Sequence, residues 1–161
     1  MGYEFPTGGL AGLEDGGLVA GITVGFVASS MVLIGGRADV ALLNGDDRIT
    51  FDAGDPKKWP DLTAVHYVAE IRLRPLISSG WDVEAAVGIG GSTLSFDDAG
   101  RHTYPSLSGG LAGGVDLNDR VALITSGQTY LVFADSEEFE DLGLFGNTWF
   151  LVFTTGVRIR I

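Results

Sequence analysis

Apolar residues alternate with small or charged residues along most of this chain. The alternation is clearest over residues 62–76, where Ile71 and Leu73 fall on one side and Arg72 on the other. A period of two residues is that of a β-strand. It predicts seven strands, over residues 17–29, 31–44, 62–76, 81–95, 105–116, 120–133 and 147–161. Residues 1–5 form a short eighth strand, which Pro6 is expected to end.

The connections between these strands are predicted to be short and long in turn. Short turns are expected at residues 29–30, 77–80 and 117–119, and long loops at 6–16, 45–61, 96–104 and 134–146. Short periplasmic turns and long extracellular loops are typical of outer-membrane barrels. The pattern therefore predicts an all-β fold, a closed antiparallel up-and-down eight-stranded transmembrane β-barrel, formed as a single domain by residues 1–161.

The charged face of each predicted strand is also its glycine-rich face, as at Gly88 and Gly114. A narrow eight-stranded wall has room inside only when many inward positions are small, so this face is predicted to point inward. The face that carries Val, Leu, Ile and Phe then points to lipid. Such a wall has to close, because unpaired backbone groups are costly in hydrocarbon.

Ionisable side chains on the inward face are predicted to form a polar network inside the barrel. Its members are Arg37, Asp39, His66, Glu70, Arg72, Arg74, Asp82, Glu84, Asp116, Arg120, Arg158 and Arg160. Six arginines then meet five carboxylates, and this near-neutral balance suits buried ions, which need partners. We expect Arg74 to meet Asp82 or Glu84 across the turn at 77–80.

Composition narrows the class of protein further. The mean hydropathy is +0.26 although 19% of the residues are charged, which indicates that part of the apolar surface faces something other than water. No stretch reaches the roughly 18 consecutive apolar residues of a membrane-spanning helix. The net charge of −11 argues against nucleic acid as a partner. Residues 1–7 lack the features of a signal peptide, so any export signal is expected to have been removed.

Candidate chemistry is sparse in this sequence. His66 is predicted to face inward and His102 to lie in a loop, and no Ser is placed beside His66 by sequence, so no catalytic residue is predicted. The acidic loop residues, Asp46, Asp47, Asp52, Asp55, Asp97, Asp98 and those at 135–141, lack the spacing of a calcium-binding loop. Neither a metal site nor a cofactor is expected.

Both ends of the chain carry a family resemblance. The closing run from Thr154 to Ile161, and the opening run from Tyr3 to Gly9, resemble the outer-membrane β-barrel domain family of the OmpA and OmpX type. In that family the last strand is an insertion signal for the barrel-assembly machinery. The resemblance implies that Thr154, Gly156, Ile159 and Ile161 form this signal, with Ile161 where Phe is common.

These observations favour a non-enzymatic, integral outer-membrane protein that serves envelope integrity, surface interaction or adhesion through its loops. Its expected partners are outer-membrane lipid, lipopolysaccharide and, during insertion, the assembly machinery, and it is expected to be a monomer. Three alternatives stay open: a small pore or gated channel, an outer-membrane lipid-modifying enzyme, and a soluble lipocalin-like barrel that binds a ligand.

Overall fold

The chain folds into a ring-like sheet of eight strands. The computed structural model describes residues 1–8, 14–45, 61–78, 80–96, 100–134 and 147–161. The strands are β1 (Gly2–Gly8), β2 (Glu14–Ser29), β3 (Val32–Gly45), β4 (Leu62–Ser78), β5 (Trp81–Phe96), β6 (Gly100–Asp116), β7 (Val121–Val132) and β8 (Thr148–Ile159). Consecutive strands pair antiparallel, and β1 also pairs with β8. Within these residues no helix is long and apolar enough to cross a membrane.

The two ends of the ring differ in the length of their connections. At one end β2 joins β3 through residues 30–31, β4 joins β5 through 79–80 and β6 joins β7 through 117–120. We call this end and the adjoining part of the strands the turn half. At the other end lie the connections 9–13, 46–61, 97–99 and 133–147. We call that part the loop half.

The alternation predicted from the sequence is confirmed by the exposure of the side chains. In β4, Ile71 and Leu73 are exposed on the outer face, whereas His66 and Glu70 are buried inside the ring. Successive side chains of a strand point to opposite faces, and β3 and β7 show the same alternation of exposure, whereas residues 20–29 of β2 are exposed on both faces. The apolar face is therefore the outer one.

The register shifts at three places in the described strands, one of them near the turn end of β2 between Val27 and Ser29. The register between β2 and β3 shifts between Asp15 and Leu18, and this places Glu14 opposite Gly45 on the inward series. The register between β4 and β5 shifts between Leu73 and Leu76, next to Pro75. Proline lacks the N–H that a ladder needs, so a bulge is one of the few places where a sheet accepts it.

The expectation that Pro6 ends the first strand is wrong. β1 continues to Gly8, and Pro6 lies opposite Phe150 of β8. On its other side β1 pairs with β2 only as far as Glu4. Pro6 therefore lies where β1 is an edge toward β2, and an edge position tolerates the missing N–H.

The long loop expected over residues 96–104 is also wrong. β6 begins at Gly100, opposite Phe96, which leaves only residues 97–99 as the connection. Gly100 has a φ of +96°, a conformation that glycine adopts without strain. Polar residues continue the strand here, as where the hydroxyls of Thr93 and Thr103 lie 2.8 Å apart. The polar residues at this rim of the sheet therefore give a strand the sequence pattern of a loop.

Candidate functional site

The inside of the ring is filled differently in its two halves. In the loop half an apolar cluster occupies the centre, with large side chains that have almost no exposed surface: Leu43, Leu62, Leu94, Tyr130, Val132, Phe150 and Val152. The sequence pattern predicts only glycines and paired ions inside, and it does not predict this cluster. Their outward neighbours include large apolar residues, such as Leu42 and Trp149, as well as polar ones, such as Asn44.

His66 lies at the base of this apolar cluster and joins three strands. Its Nδ1 lies 2.7 Å from the hydroxyl of Ser92 on β5, and its Nε2 lies 3.1 Å from a carboxylate oxygen of Glu4 on β1. The imidazole stacks on the ring of Tyr130 with centroids 4.3 Å apart and planes 7° apart. Phe150 packs on it at 4.9 Å. His66 thus has both ring nitrogens and one face engaged.

A serine, a histidine and a glutamate in a row are the groups that nucleophilic hydrolases use. Here Ser92, His66 and Glu4 are all fully buried, so a substrate has no approach to the hydroxyl. The hydrogen bonds instead satisfy polar groups that would be costly to leave unpaired in an apolar surrounding. The arrangement stabilises the ring and tethers the short strand β1 to β4.

A second polar layer lies just below, around Arg37 and Asp39 of β3. The Nε of Arg37 donates to Asp39 at 2.6 Å, and the hydroxyl of Tyr130 donates to the same carboxylate oxygen at 2.5 Å. The guanidinium also reaches the hydroxyls of Ser126 and Thr154, at 3.4 and 3.5 Å. This layer connects β3 to β7 and β8 across the ring.

The third layer, in the turn half, is an ion-pair network built from β4, β5 and β8. Arg72 pairs with Glu70 at 2.5 Å and with Glu84 at 3.2 Å. Arg74 donates to Asp82 at 2.5 Å, which is the contact expected across the turn between β4 and β5. The carboxylates are 1–3% exposed and the two arginines 13% and 16%. The network is therefore screened from bulk solvent.

Arg158 and Arg160 of the last strand extend this network to the rim. Arg158 lies 2.8 Å from Asp82 and 2.7 Å from Glu84. Arg160 pairs with Asp116 at 2.5 Å, with both side chains about one-third exposed. Asp116 is also the first cause of the raised pKa of Arg160, through that hydrogen bond. The Arg160–Asp116 pair at the rim is more exposed to solvent than the ion pairs deeper in the ring.

Arg120 is not part of the interior, contrary to expectation. It lies in the connection at 117–120 and is exposed. The side chain of Asn118 accepts hydrogen bonds there from the backbone N–H groups of Arg120 and Val121, at 2.9 and 3.0 Å. A residue in such a turn does not follow the inward and outward alternation of a strand, so the alternation misplaced it.

The residues implied as an assembly signal lie on both faces of β8 and just past its end. Thr154 faces inward, 2.7 Å from the hydroxyl of Ser126, and Gly156 falls on the same face. Ile159 and Ile161 are exposed. A methyl group added at Gly156 would meet no atom within 4 Å.

A cavity of about 780 Å³ occupies the turn half. Arginines and carboxylates of the network line it on one side, among them Arg72, Glu84 and Arg158. On the other side it is bounded by β2 and β8, including Thr23 and Gly156. The packed loop half ends this cavity, so along the described part of the ring the interior is a blind space open toward the turns.

Candidate metal and histidine chemistry gains no support from the geometry. Within the described ranges, no three His, Cys, Asp or Glu side chains are grouped to hold a metal ion. The acidic loop residues, Asp46, Asp47, Asp52, Asp55, Asp97, Asp98 and those at 135–141, lie outside the described residues. His102 belongs to β6 rather than to a loop, and it stacks beside Tyr104 with ring centroids 6.3 Å apart.

Comparison with known proteins does not assign a family. The sequence matches no protein-family model, and no curated protein matches it. Any function has to be argued from the geometry of the ring and from the chemistry of its two faces.

Proposed function

We propose that this chain is an integral outer-membrane protein, a closed eight-stranded transmembrane β-barrel without catalytic activity that acts through the segments connecting its strands at the loop end. The single observation that carries the proposal is the distribution of polarity across the wall. In the turn half, apolar side chains lie outside and ion pairs lie inside, which is the reverse of the arrangement in a soluble barrel.

The outer face carries an apolar band around the ring. Its large exposed members are Leu18, Ile22, Val24, Phe26, Ile34, Val40, Leu42, Tyr67, Ile71, Leu73, Leu76, Val87, Ile89, Leu107, Leu111, Val115, Leu123, Phe153, Val157 and Ile159. Ile89 is 67% exposed and Leu111 is 65% exposed. Contiguous apolar surface beyond a few hundred Å² is rare on soluble monomers and marks contact with lipid or another apolar surface.

The height of this band fits a bilayer. On β4 the outward apolar side chains run from Val65 to Leu76. At about 3.3 Å per residue and a tilt of about 40°, that segment rises about 25–28 Å. Outer-membrane barrels carry an apolar band about 25 Å tall. Trp81 near the turns and Trp149 near the loop end are both exposed, as aromatic residues are at the two membrane interfaces.

The filled interior supports a role other than transport. The apolar cluster around Tyr130 and Phe150 has no exposed surface and closes the ring above the cavity. Solute passage would require these side chains and the ion pairs below them to rearrange. Among the proposed roles, envelope integrity, surface interaction or adhesion therefore fits better than conduction, with lipid and lipopolysaccharide as the surrounding partners of a monomer.

Arginine substitutions on the outer face test the membrane placement. Leu111 lies at mid-height on β6, and Asn44 lies outward near the loop end of β3. In lipid vesicles we expect Leu111→Arg to lower the free energy of unfolding by about 2–4 kcal/mol and Asn44→Arg by about 0–1 kcal/mol. Heat-modifiable migration in gels is used to measure the folded fraction at each urea concentration.

A soluble barrel predicts a different result. On a water-facing surface, both substitutions would change the stability by less than about 0.5 kcal/mol. Equal, small effects of Leu111→Arg and Asn44→Arg, together with a folded protein in buffer without detergent, would reject the membrane proposal and favour the lipocalin-like alternative.

A further inference from the structure

The outward side chains of β4, β5 and β6 change from apolar to polar at matched positions near the loop end. On β4 the change falls between Val65 and Thr63, and on β6 it falls between Pro105 and Thr103. The pairing of the strands aligns these positions, because Thr93 of β5 lies opposite both Val65 and Thr103. A boundary between apolar and polar surface therefore crosses these three strands.

Beyond this boundary the register brings a further row of polar residues together. Ser95 of β5 lies opposite Thr63 of β4 and Arg101 of β6. In the adjacent row the hydroxyls of Thr93 and Thr103 lie 2.8 Å apart. We call Thr63, Thr93, Ser95, Arg101 and Thr103 the outer polar patch.

Arg101 is the charged member of the outer polar patch. Its side chain is exposed, and no ion pair joins it to another described residue. The arginines inside the ring are instead paired with carboxylates, and they are Arg37, Arg72, Arg74, Arg158 and Arg160. Within the described ranges, Arg101 is therefore a positive charge of the outer wall without a carboxylate partner.

The height of the outer polar patch matches that of lipid headgroups in the proposed membrane placement. The apolar band on β4 ends at Val65, so Thr63 is the first outward residue beyond it. From the boundary between Pro105 and Thr103 to Arg101, β6 rises about 8 Å, at about 3.3 Å per residue and a tilt of about 40°. The polar layer of a bilayer extends about 5–8 Å beyond the hydrocarbon on each side. The guanidinium therefore lies at headgroup level.

We propose that the outer polar patch binds the phosphate group of a lipid headgroup in the leaflet at the loop end, with the guanidinium of Arg101 as the charged donor. This inference rests on the membrane placement proposed above and adds a specific contact to it. A guanidinium donates two parallel N–H bonds to phosphate oxygens, and such charge-assisted bonds are about twice as strong as neutral ones. The hydroxyls of Thr63 and Ser95, on the same row as Arg101, supply further donors.

The surroundings of the outer polar patch favour a lipid over a free phosphate ion. On the apolar band next to it, the same strands expose Ile89 and Leu107. A lipid covers both surfaces at once, with its acyl chains on the band and its phosphate at Arg101. A free anion has to approach a chain with a net charge of −11, whereas the headgroup of a bilayer lipid is already held beside the patch.

The outer polar patch occupies one sector of the rim. Toward β3 its row continues with Leu42, and β8 carries Trp149 near the same end. Asp15 and Asn44 lie opposite each other at the rim of β2 and β3, where a carboxylate repels phosphate. A bound headgroup is therefore expected beside β4, β5 and β6 rather than around the whole ring.

Binding of dioleoyl phosphatidic acid to the full chain in nonionic detergent micelles tests the proposal. Dioleoylglycerol has the same acyl chains without the phosphate, and glycerol phosphate has the phosphate without the chains. Arg101→Gln removes the guanidinium. Arg120→Gln is the matched control, because Arg120 is exposed in a turn at the opposite end of the ring. Titration gives the dissociation constants, and NMR shifts of the backbone amides locate the bound headgroup.

We expect Arg101→Gln to weaken the binding of phosphatidic acid at least about tenfold, the loss that follows from one charge-assisted bond, and Arg120→Gln to leave it unchanged. In the unaltered chain, phosphatidic acid is expected to shift the amides of Thr63, Ser95 and Arg101 more than dioleoylglycerol does. Equal affinities of the two variants, or equal binding of the two lipids, would overturn the proposal. Glycerol phosphate bound as tightly as phosphatidic acid would overturn the assignment to a lipid.

The failure of this proposal and the failure of the membrane placement are distinguishable. A chain that stays folded in buffer without detergent would reject the membrane placement. A chain that requires detergent but binds phosphatidic acid and dioleoylglycerol equally would reject the phosphate site alone.

Discussion

Glu84 is the carboxylate of the interior that contacts three arginines. It lies within ion-pair distance of Arg72 at 3.2 Å, Arg74 at 3.6 Å and Arg158 at 2.7 Å, and it is 1% exposed. A buried ion is costly without a partner, and Glu84 shares the compensation of these three arginines with Glu70 and Asp82. The residue thereby couples β4, β5 and β8 at the level of the cavity.

Glu84→Gln keeps the size of the side chain and removes its charge. We expect it to lower the free energy of unfolding by about 3–5 kcal/mol, the range found when one partner of a buried ion pair is removed. Asp116→Asn is the matched control, because the Asp116–Arg160 pair is partly exposed and is expected to contribute about 0–1 kcal/mol. Urea unfolding in detergent gives both values. Similar losses in the two variants would contradict a screened network.

At the scale of a strand, β8 carries the same residue type on both of its faces. Phe150 points into the apolar cluster with no exposed surface, while Phe153 is 54% exposed on the outer face. Phe150 contacts His66, and Phe153 lies edge-on to Phe5 with centroids 6.4 Å apart. Substituting Phe150 and Phe153 in turn therefore distinguishes the contribution of interior packing from that of outer-face contacts within one strand.

Phe150→Ala is expected to destabilise the protein by about 3–5 kcal/mol, because it leaves a cavity in a packed interior. Phe153→Ala is expected to cost about 1 kcal/mol, since it loses mainly one aromatic contact. Tryptophan fluorescence during urea unfolding measures both changes. A larger loss for Phe153→Ala would mean that the core lies outside the ring, and the proposed orientation would fail.

The elements were predictable from the sequence because a period of two places alternate side chains on opposite faces. The exceptions have local physical causes. Pro6 predicts the end of a strand, but proline is tolerated at an edge, and Glu14 falls in the predicted loop at 6–16 although β2 begins at this residue. Alternation alone cannot detect either effect.

The contacts of the site were harder to predict than its faces. Ser92 meets His66 only because β4 and β5 pair in a register with one bulge near Pro75. Glu4 reaches His66 only because β1 closes the ring by pairing with both β8 and β2. Contacts between residues distant in sequence depend on register and closure. The pairing of Arg74 with Asp82 could be predicted because the two residues are close in sequence, on either side of a short turn.

At the scale of the whole molecule, the filled loop half determines what can cross the ring. In planar bilayers we expect no steady conductance at the nanosiemens scale of a general porin, because Tyr130, Phe150 and their buried neighbours fill the interior of the loop half. A general porin reconstituted by the same procedure is the control. Reproducible open steps of that size would favour the pore or gated channel instead.

The four connections at the loop end differ widely in length. The connections 46–61 and 133–147 leave the ring between β3 and β4 and between β7 and β8, which are diametrically opposed among eight strands. The two remaining connections, 9–13 and 97–99, alternate with them and are far shorter. The two longest connections therefore attach to the ring half a circumference apart, at the β3–β4 and β7–β8 positions.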